Sequence, residues 1–152
     1  MTNRGFGQPC SIARTLEVIG ERWTLLILRD AFKGVRRFED IQADLGIARN
    51  ILADRLQKLV DAGVLERRPY FQRPLRHEYL LTPKGRDLSP ALVALMRWGD
   101  RYLAPDGQPP LVLTHAACGS ELDQTFVCWS CDATVTPAGI RSHPGPGAEK
   151  SA

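Results

Sequence analysis

The sequence predicts a mainly α-helical fold that carries a small β-wing and is followed by a small β module at the C-terminal end. Apolar residues recur at helical spacing on both sides of Gly46, which indicates two short helices joined by a tight turn. Two strand-like segments follow at residues 64–71 and 76–81, with arginines in and between them. Helix, turn, helix and hairpin in this order are typical of a winged helix-turn-helix.

Two helices are expected ahead of this central pair. Ser11 can cap a helix whose apolar residues are Ile12, Leu16 and Ile19. A second helix is expected over residues 22–33 and ends at Gly34, a residue that commonly terminates helices. Both helices are expected to pack behind the central pair.

The central pair has one apolar seam and one polar face. Phe38, Ile41 and Leu45 share a helical face before Gly46. The same period restarts after the turn at Ile51, Leu52, Leu56, Leu59 and Val60. Residues of the second helix that lie off this seam are small, polar or charged, namely Ala48, Arg49, Asn50, Ala53, Asp54, Arg55 and Lys58. Such a face suits the major groove of DNA, where side chains reach base edges.

Positive charge is concentrated in the first part of this chain of 152 residues, whose net charge is +3. Residues 1–104 contain 18 Lys and Arg against 12 Asp and Glu, whereas residues 105–152 contain two against five. The hairpin is the most basic stretch, because within residues 66–76 four arginines at positions 67, 68, 73 and 76 accompany one acid, Glu66. A basic cluster alone is more often a solvated surface, but its place directly after a helix-turn-helix favours binding of phosphate.

A last helix is expected to begin at Thr82 and Pro83, which have the residue types of an N-cap and a first helical position. Its apolar stripe runs through Leu88, Leu92, Leu95, Trp98 and Tyr102. Together with an apolar edge of the first helix, this stripe predicts a homodimer, since helix-turn-helix proteins commonly pair two half-sites.

The segments that carry these features resemble the HxlR-type transcriptional regulators, which are related to the MarR proteins. The resemblance covers roughly residues 10–104 and rests on Cys10 and on the segments LEVIGERWTLLILRDAFKGVRRFEDI, LGIARNILADRLQKLVDAGVLERRPY, RPLRHEYLLTPKGRDL and MRWGDRYL. It implies a homodimeric winged-helix protein that binds double-stranded operator DNA, usually as a repressor and sometimes as an activator.

On this reading, residues 48–55 enter the major groove, where Arg49 addresses guanine and Asn50 addresses adenine. Phosphates are held at the start of the first helix of the pair and by the wing. The predicted DNA-binding residues are therefore Arg36, Arg37, Ala48, Arg49, Asn50, Arg55, Lys58, Arg73 and Arg76. Arg55 has an alternative role in an ion pair with Asp54 or Glu66.

Cys10 lies at the start of the first helix, where the helix dipole favours a thiolate. It is either a redox-sensing residue or a small packing residue. The resemblance implies sensing of quinones, aldehydes or oxidants at this place. In the family a proline commonly follows this cysteine, whereas here Pro9 precedes it and Ser11 follows it.

The other cysteines lie in residues 105–136 and form, with a histidine, two pairs of possible metal ligands. The pairs are His115 with Cys118 and Cys128 with Cys131, each separated by two residues. This spacing predicts a structural Zn²⁺ site in a zinc-ribbon-like tail, with short strands around residues 126–127 and 135. The alternatives are a thiol-disulfide redox protein that uses the C-terminal CxxC, or no metal at all.

The remaining patterns limit the class of protein. Residues 137–152 are rich in Gly, Pro and Ser and are expected to be disordered. The absence of a targeting segment and of a long apolar stretch predicts a cytoplasmic protein without a membrane partner. Catalytic constellations and phosphate-binding glycine loops are not apparent, so we expect no enzymatic activity. A winged helix used only for protein contacts is a further alternative.

Overall fold

The structure is a computed structural model that describes residues 5–147. The helices are α1 (Ser11–Ile19), α2 (Thr24–Phe32), α3 (Phe38–Leu45), α4 (Arg49–Asp61), α5 (Pro83–Arg86) and α6 (Ser89–Leu103). The strands are β1 (Leu65–Gln72), β2 (Leu75–Leu81), β3 (Phe126–Val127) and β4 (Thr134–Val135). The chain divides into two compact units, Met1–Leu92 and Val93–Ala152.

The first unit has one hydrophobic core built from α1 to α4 and the start of β1. Its fully buried side chains include Ile41, Leu52, Leu56 and Leu59 of the predicted apolar seam, together with Ile27 and Leu28 of α2. Because these residues recur every three or four positions, each helix turns one stripe inward and leaves the opposite face in solvent. The predicted helix-turn-helix is confirmed, and its α4 lies with one face against the core.

The wing is an antiparallel hairpin of β1 and β2. Leu65 pairs with Leu81 at its base and Gln72 pairs with Leu75 at its tip, so that only Arg73 and Pro74 form the connection. The pairing shifts between Pro69 and Phe71, which leaves Tyr70 in a bulge. The predicted wing is therefore present, and its strands reach closer to the tip than the sequence suggested.

The prediction of a single helix from Pro83 to Tyr102 is wrong, because the structure has two separate helices, α5 and α6. Pro90 has no backbone N–H, so Arg86 cannot accept the hydrogen bond that a continuous helix would place there. The Thr82 prediction holds, since the Thr82 hydroxyl oxygen accepts a hydrogen bond from Gly85 N–H at 3.1 Å. A Cβ at Gly85 would lie 2.2 Å from Val64 O, which explains a glycine at this position.

Two helix starts also differ from the sequence-based expectation. Helix α1 has Cys10 at its N-cap, with Ser11 as the first helical residue. Helix α2 begins at Thr24, not at residue 22, because Trp23 adopts a left-handed conformation with φ 81°. A helix cannot continue through such a residue, so the chain turns there before α2 starts.

One carboxylate is buried in the first unit. Asp30 in α2 has no exposed surface, and its Oδ1 accepts hydrogen bonds from Arg29 Nε at 3.0 Å and Arg29 Nη2 at 2.7 Å. Asp30 Oδ2 has no hydrogen-bond partner among residues 5–147. Burial raises the pKa of Asp30 above its ordinary value, and the attraction of Arg29 opposes this effect only in part.

The second unit comprises most of α6 and the C-terminal segment. Strands β3 and β4 pair antiparallel, and Thr114 forms an isolated bridge with Glu121. The unit boundary falls inside α6, earlier than the predicted boundary after residue 104, because Arg97 of α6 contacts the C-terminal segment. No helix in the described part of the chain is long and apolar enough to cross a membrane.

The predicted disorder of residues 137–152 stays a prediction. Residues 137–139 form a single 3-10 turn. Residues 148–152 of the predicted segment lie outside the described residues.

Candidate nucleic-acid interface

The turn between α3 and α4 places the start of α4 at the surface. Gly46 has φ 62° and ψ 26°, and its N–H donates to Gln42 O at 2.9 Å, which ends α3. Ile47 is buried beneath the turn, whereas Ala48, Arg49 and Asn50 are exposed. The N-terminal end of α4 is thus open to solvent, in line with its predicted role.

Arg49 is held over an aromatic ring. Its Cζ atom lies 4.7 Å from the ring centroid of Phe38, the first residue of α3. A guanidinium stacked on a ring keeps its N–H donors free at its edge, where they can form paired hydrogen bonds. The stacking therefore positions Arg49 without consuming the donors that a guanine contact would need.

The start of α3 is joined to the wing. Tyr79 N–H donates to Arg36 O at 2.8 Å, and Arg37 forms a β-bridge with Glu78. The Arg37 side chain also stacks on Tyr70, with its Cζ 4.7 Å from the ring centroid. Arg36 and Arg37 are both exposed, so this joint leaves two cations at the surface between α3 and the wing.

The wing presents its tip arginines to solvent. Arg73 and Arg76 are exposed, and neither makes an ion pair within residues 5–147. Arg68 differs, because its Nη2 lies 3.2 Å from Glu78 Oε1 on the neighbouring strand. Arg67, Arg73 and Arg76 are thus the wing arginines without an acidic partner in this range, and Arg73 and Arg76 lie at its tip.

Arg55 and Lys58 occupy a different environment from the one expected of free cations on α4. The Arg55 side chain is only 18% exposed and forms ion pairs with Asp54 and with Glu21, the latter at 2.9 Å. Lys58 Nζ lies 2.9 Å from Glu21 Oε1 and 3.1 Å from Asp54 Oδ2. The pairing of Arg55 with Asp54 was one expected alternative, but the role of Glu21 was not visible in the sequence. DNA contacts by these two residues stay a prediction.

Cys10 lies at the N-cap of α1 and is half-buried. The backbone N–H groups of Ala13 and, to a lesser extent, Ile12 hold the pKa of the thiol below its ordinary value. The side chain makes no capping hydrogen bond, so these groups act through electrostatic attraction to the thiolate. This confirms the predicted location but does not by itself assign a sensing role.

Comparison with known proteins identifies the family. The model of the HxlR-like helix-turn-helix family matches residues 18–107. The chain belongs to the HxlR-like helix-turn-helix family. This confirms the resemblance found in the sequence.

Relatives of this HxlR-like protein are named as regulators. An HTH-type transcriptional regulator of Mycobacterium tuberculosis is 50% identical over 137 residues, which cover 90% of this chain and 87% of that protein. The crystal structure of PA1607, described as a candidate transcription factor, has a TM-score of 0.81 and 36% identity and covers 90% of this chain and 95% of that one. The redox regulator HypR in its reduced form has a TM-score of 0.56 and 29% identity, covering 60% and 91%.

The C-terminal segment of the HxlR-like protein holds the predicted metal ligands as two separate pairs. His115 Nδ1 lies 3.2 Å from Cys118 Sγ. The Ser120 hydroxyl and N–H, followed by His115, lower the pKa of Cys118 to about 7. The N–H of Ser130, then the Cys131 thiol, lower the pKa of Cys128. In the described part of the chain, no three His, Cys, Asp or Glu side chains form a cluster that could hold a metal ion.

Several residues that shape these sites are missing from the sequence-based list. Phe38 and Tyr70 hold arginines by stacking, and Glu21 pairs with the cations of α4. Arg97 attaches the C-terminal segment to α6, since its Nη2 donates to Leu122 O at 2.6 Å and lies 2.8 Å from Asp123 Oδ1. The only sequence signal for the stacking residues was that aromatic residues occur close to arginines. This signal does not show which arginine stacks on which ring.

Proposed function

We propose that this HxlR-like protein is a transcriptional regulator that binds operator DNA as a homodimer, most simply as a repressor. One observation carries the proposal. Exposed cations from three elements, the start of α3, the start of α4 and the wing, are joined by the Arg36–Tyr79 hydrogen bond and by two arginine–aromatic stacks. Such a surface is suited to double-stranded DNA. A helix fits the major groove, and the cations of the flanking elements can reach the phosphates on either side of it.

Within this surface the residues take different roles. Arg49 and Asn50 at the exposed start of α4 read base edges, Arg49 through guanine O6 and N7 and Asn50 through adenine N6 and N7. Arg36, Arg37, Arg73 and Arg76 bind phosphates or the minor groove, which sets affinity without specifying sequence. Arg55 and Lys58 contribute less to binding than a free cation would, because Glu21 and Asp54 already neutralise them.

The homodimer is supported by the exposed apolar side chains of α6. Leu95, Trp98, Tyr102 and Leu103 all have more than half of their surface exposed. Trp98 and Tyr102 lie side by side, with ring centroids 5.6 Å apart. Aromatic residues on an exposed helix stripe are typical of subunit interfaces. A second copy of the chain is the partner that the two-fold symmetry of operators favours.

Redox control through Cys10 is the regulatory part of the proposal. HypR, a structural neighbour, is described as a redox regulator. In this chain the lowered pKa of Cys10 increases the thiolate fraction at neutral pH, and the thiolate is the reactive form.

The competing hypothesis of a thiol-disulfide enzyme is not favoured. The relatives are regulators by name, and the Cys128–Cys131 turn lies between β3 and β4, not at the start of a helix where such enzymes place their CxxC.

Selection of genomic DNA fragments, followed by affinity measurements on the selected duplex, tests the proposal. Arg49→Ala and Asn50→Ala should each relax the preference at one base pair, at a cost of about 1–3 kcal/mol per lost bidentate contact. Arg73→Ala should weaken binding to every duplex and lower the salt slope by roughly one. Arg141→Ala, which removes an exposed arginine of the C-terminal segment, is the matched control and should change neither. An unchanged operator preference in both Arg49→Ala and Asn50→Ala would contradict the groove assignment.

A further inference from the structure

Two turns in the C-terminal segment share one backbone hydrogen-bond pattern. In the first turn, Gly119 N–H donates to His115 O at 2.7 Å, and His115 N–H donates to Ser120 O at 2.8 Å. In the second turn, Asp132 N–H donates to Cys128 O at 2.8 Å, and Cys128 N–H donates to Ala133 O at 2.9 Å. The possible ligands occupy the first and fourth positions of both turns.

The residue after each turn adopts the same unusual conformation. Gly119 has φ 73° and Asp132 has φ 54°. The Thr114–Glu121 bridge flanks the first turn, and the β3–β4 pair flanks the second. The two turns are therefore equivalent structures built from different sequences. Only the second contains a residue with a Cβ in the left-handed region, where a side chain is unfavourable without a compensating role.

Within the first turn the ligands already lie at a suitable separation. His115 Nδ1 and Cys118 Sγ are 3.2 Å apart. A tetrahedral Zn²⁺ with a Zn–N distance of about 2.0 Å and a Zn–S distance of about 2.3 Å separates these two atoms by roughly 3.5 Å.

The segment has no hydrophobic core of its own. None of residues 105–147 is buried, and Trp129, between the two cysteines of the second turn, is 98% exposed. A segment this short cannot bury enough apolar surface to offset the entropy of folding, so small modules of this size commonly depend on a metal or a disulfide. The alignment of 137 residues with the Mycobacterium tuberculosis regulator extends beyond residue 107, so this segment has a counterpart in a relative.

We propose that the two turns bind one Zn²⁺ ion through His115, Cys118, Cys128 and Cys131. The described structure holds these residues as two pairs, and zinc draws the pairs together into one tetrahedral site. Three thiols lose their protons on binding, and His115 binds as the neutral imidazole. All four positions are filled by protein, so the site is structural and leaves no coordination position for a substrate.

The test uses the full chain, purified under reducing conditions without added metal. Elemental analysis should find about one zinc per chain in the wild type and in Cys10→Ser, which removes a thiol outside the turns. Cys131→Ser and His115→Ala should each lose far more than tenfold in zinc affinity, since even loss of an outer-shell partner costs about 10–100-fold. Bound Co²⁺ should show the visible bands of a tetrahedral site with thiolate ligands.

A second measurement needs no variant. The chain has four free cysteines, and a thiol reagent should modify all four after chelation but only Cys10 rapidly when zinc is restored. Equal reactivity of the three C-terminal thiols with and without zinc overturns the proposal. So does zinc that binds equally well to Cys131→Ser and His115→Ala. A Cys128–Cys131 disulfide in protein that never retains zinc overturns it in favour of the redox alternative.

Discussion

Arg49 and Arg55 both lie on α4, yet their surroundings give them different chemistry. Arg49 stacks on Phe38 and keeps its donors free, whereas Arg55 is largely enclosed by Glu21, Asp54 and the carbonyl oxygen of Arg22. An arginine whose donors are satisfied by its own protein has less to gain from a base or a phosphate. In the proposed function, Arg49 therefore serves recognition, whereas Arg55 of the same helix stabilises the fold.

At Cys10, a reactive thiolate would make DNA binding sensitive to electrophiles. A quinone that alkylates thiolates should release operator DNA from the wild type and not from Cys10→Ser, because only the thiolate is strongly nucleophilic. Fluorescence anisotropy measures the release of operator DNA. Cys131→Ser is the control and should respond as the wild type does. Equal release from wild type and Cys10→Ser would assign sensing to the C-terminal cysteines. No release from either protein would leave Cys10 with a packing role.

The buried Asp30 should produce a pH-dependent component of stability. Because the folded-state pKa is raised, the folded protein binds the proton more tightly than the unfolded chain does. The stabilising contribution is therefore complete below the unfolded pKa of about 3.9 and is lost as pH rises through the folded pKa. Asp30→Asn removes this component.

Urea unfolding of wild type and Asp30→Asn over a pH series measures the effect. The free energy of unfolding of the wild type should fall relative to that of the variant as pH rises. An opposite slope would mean that attraction between Arg29 and the carboxylate exceeds the effect of burial. Asp44, whose Oδ2 lies 2.9 Å from Arg29 Nη2, also raises the pKa of Asp30 and should be replaced in a second variant.

The exposure and contacts of a side chain could be predicted from the sequence only where the apolar period of its own helix or strand determines them. Exposure of Ala48, Arg49 and Asn50 follows from the helical period, and it is confirmed. The partner of Arg55 does not follow, because Glu21 is distant in sequence and approaches only after α4 has packed. The stacking of Arg37 on Tyr70 depends on a bulge in β1, which no period of apolar residues indicates.

At the scale of elements, the turn between α3 and α4 depends on Gly46. A side chain at φ 62° costs about 1–2 kcal/mol, so Gly46→Ala should lower the free energy of unfolding by that amount. Gly99→Ala in α6 is the control, because a Cβ there meets no atom within 4 Å and alanine favours helices over glycine by about 1 kcal/mol. Chemical denaturation should give opposite signs for the two variants. A free energy of unfolding that does not fall in Gly46→Ala would show that Gly46 tolerates a side chain.

The elements themselves were largely predictable, and the exceptions have local causes. Helices α1 to α4 and the two wing strands follow from apolar period and turn residues. The interruption between α5 and α6 arises from Pro90. The apolar period continues through Leu88 and Leu92 on both sides of the break, so the sequence pattern does not indicate it. The joint of Arg36 with Tyr79 is a pairing between distant segments, and sequence pattern does not indicate it.

For the whole molecule, assembly should depend on the exposed stripe of α6. Trp98, which is 57% exposed, is the largest side chain of this stripe, and Trp98→Glu should convert the dimer to monomer. Loss of an interface tryptophan commonly costs about 2 kcal/mol or more, which weakens dimerisation more than tenfold. Light scattering after size-exclusion chromatography measures the mass.

Leu111→Glu is the control for this prediction, because it places the same charge on an exposed apolar residue of the same unit that lies outside α6. It should leave the mass unchanged. A wild-type mass equal to that of one chain would contradict the dimer, and a dimer that survives Trp98→Glu would place the interface elsewhere.

The joint between the start of α3 and the wing limits how this protein can be re-engineered. Replacing α4 alone would remove Arg49, which stacks on Phe38, and replacing the wing alone would remove Tyr70, which stacks on Arg37. The smallest transferable cassette is therefore discontinuous, consisting of residues 36–38, α4 and the hairpin together. A chimera designed to adopt a new operator preference has to exchange these three segments as a set.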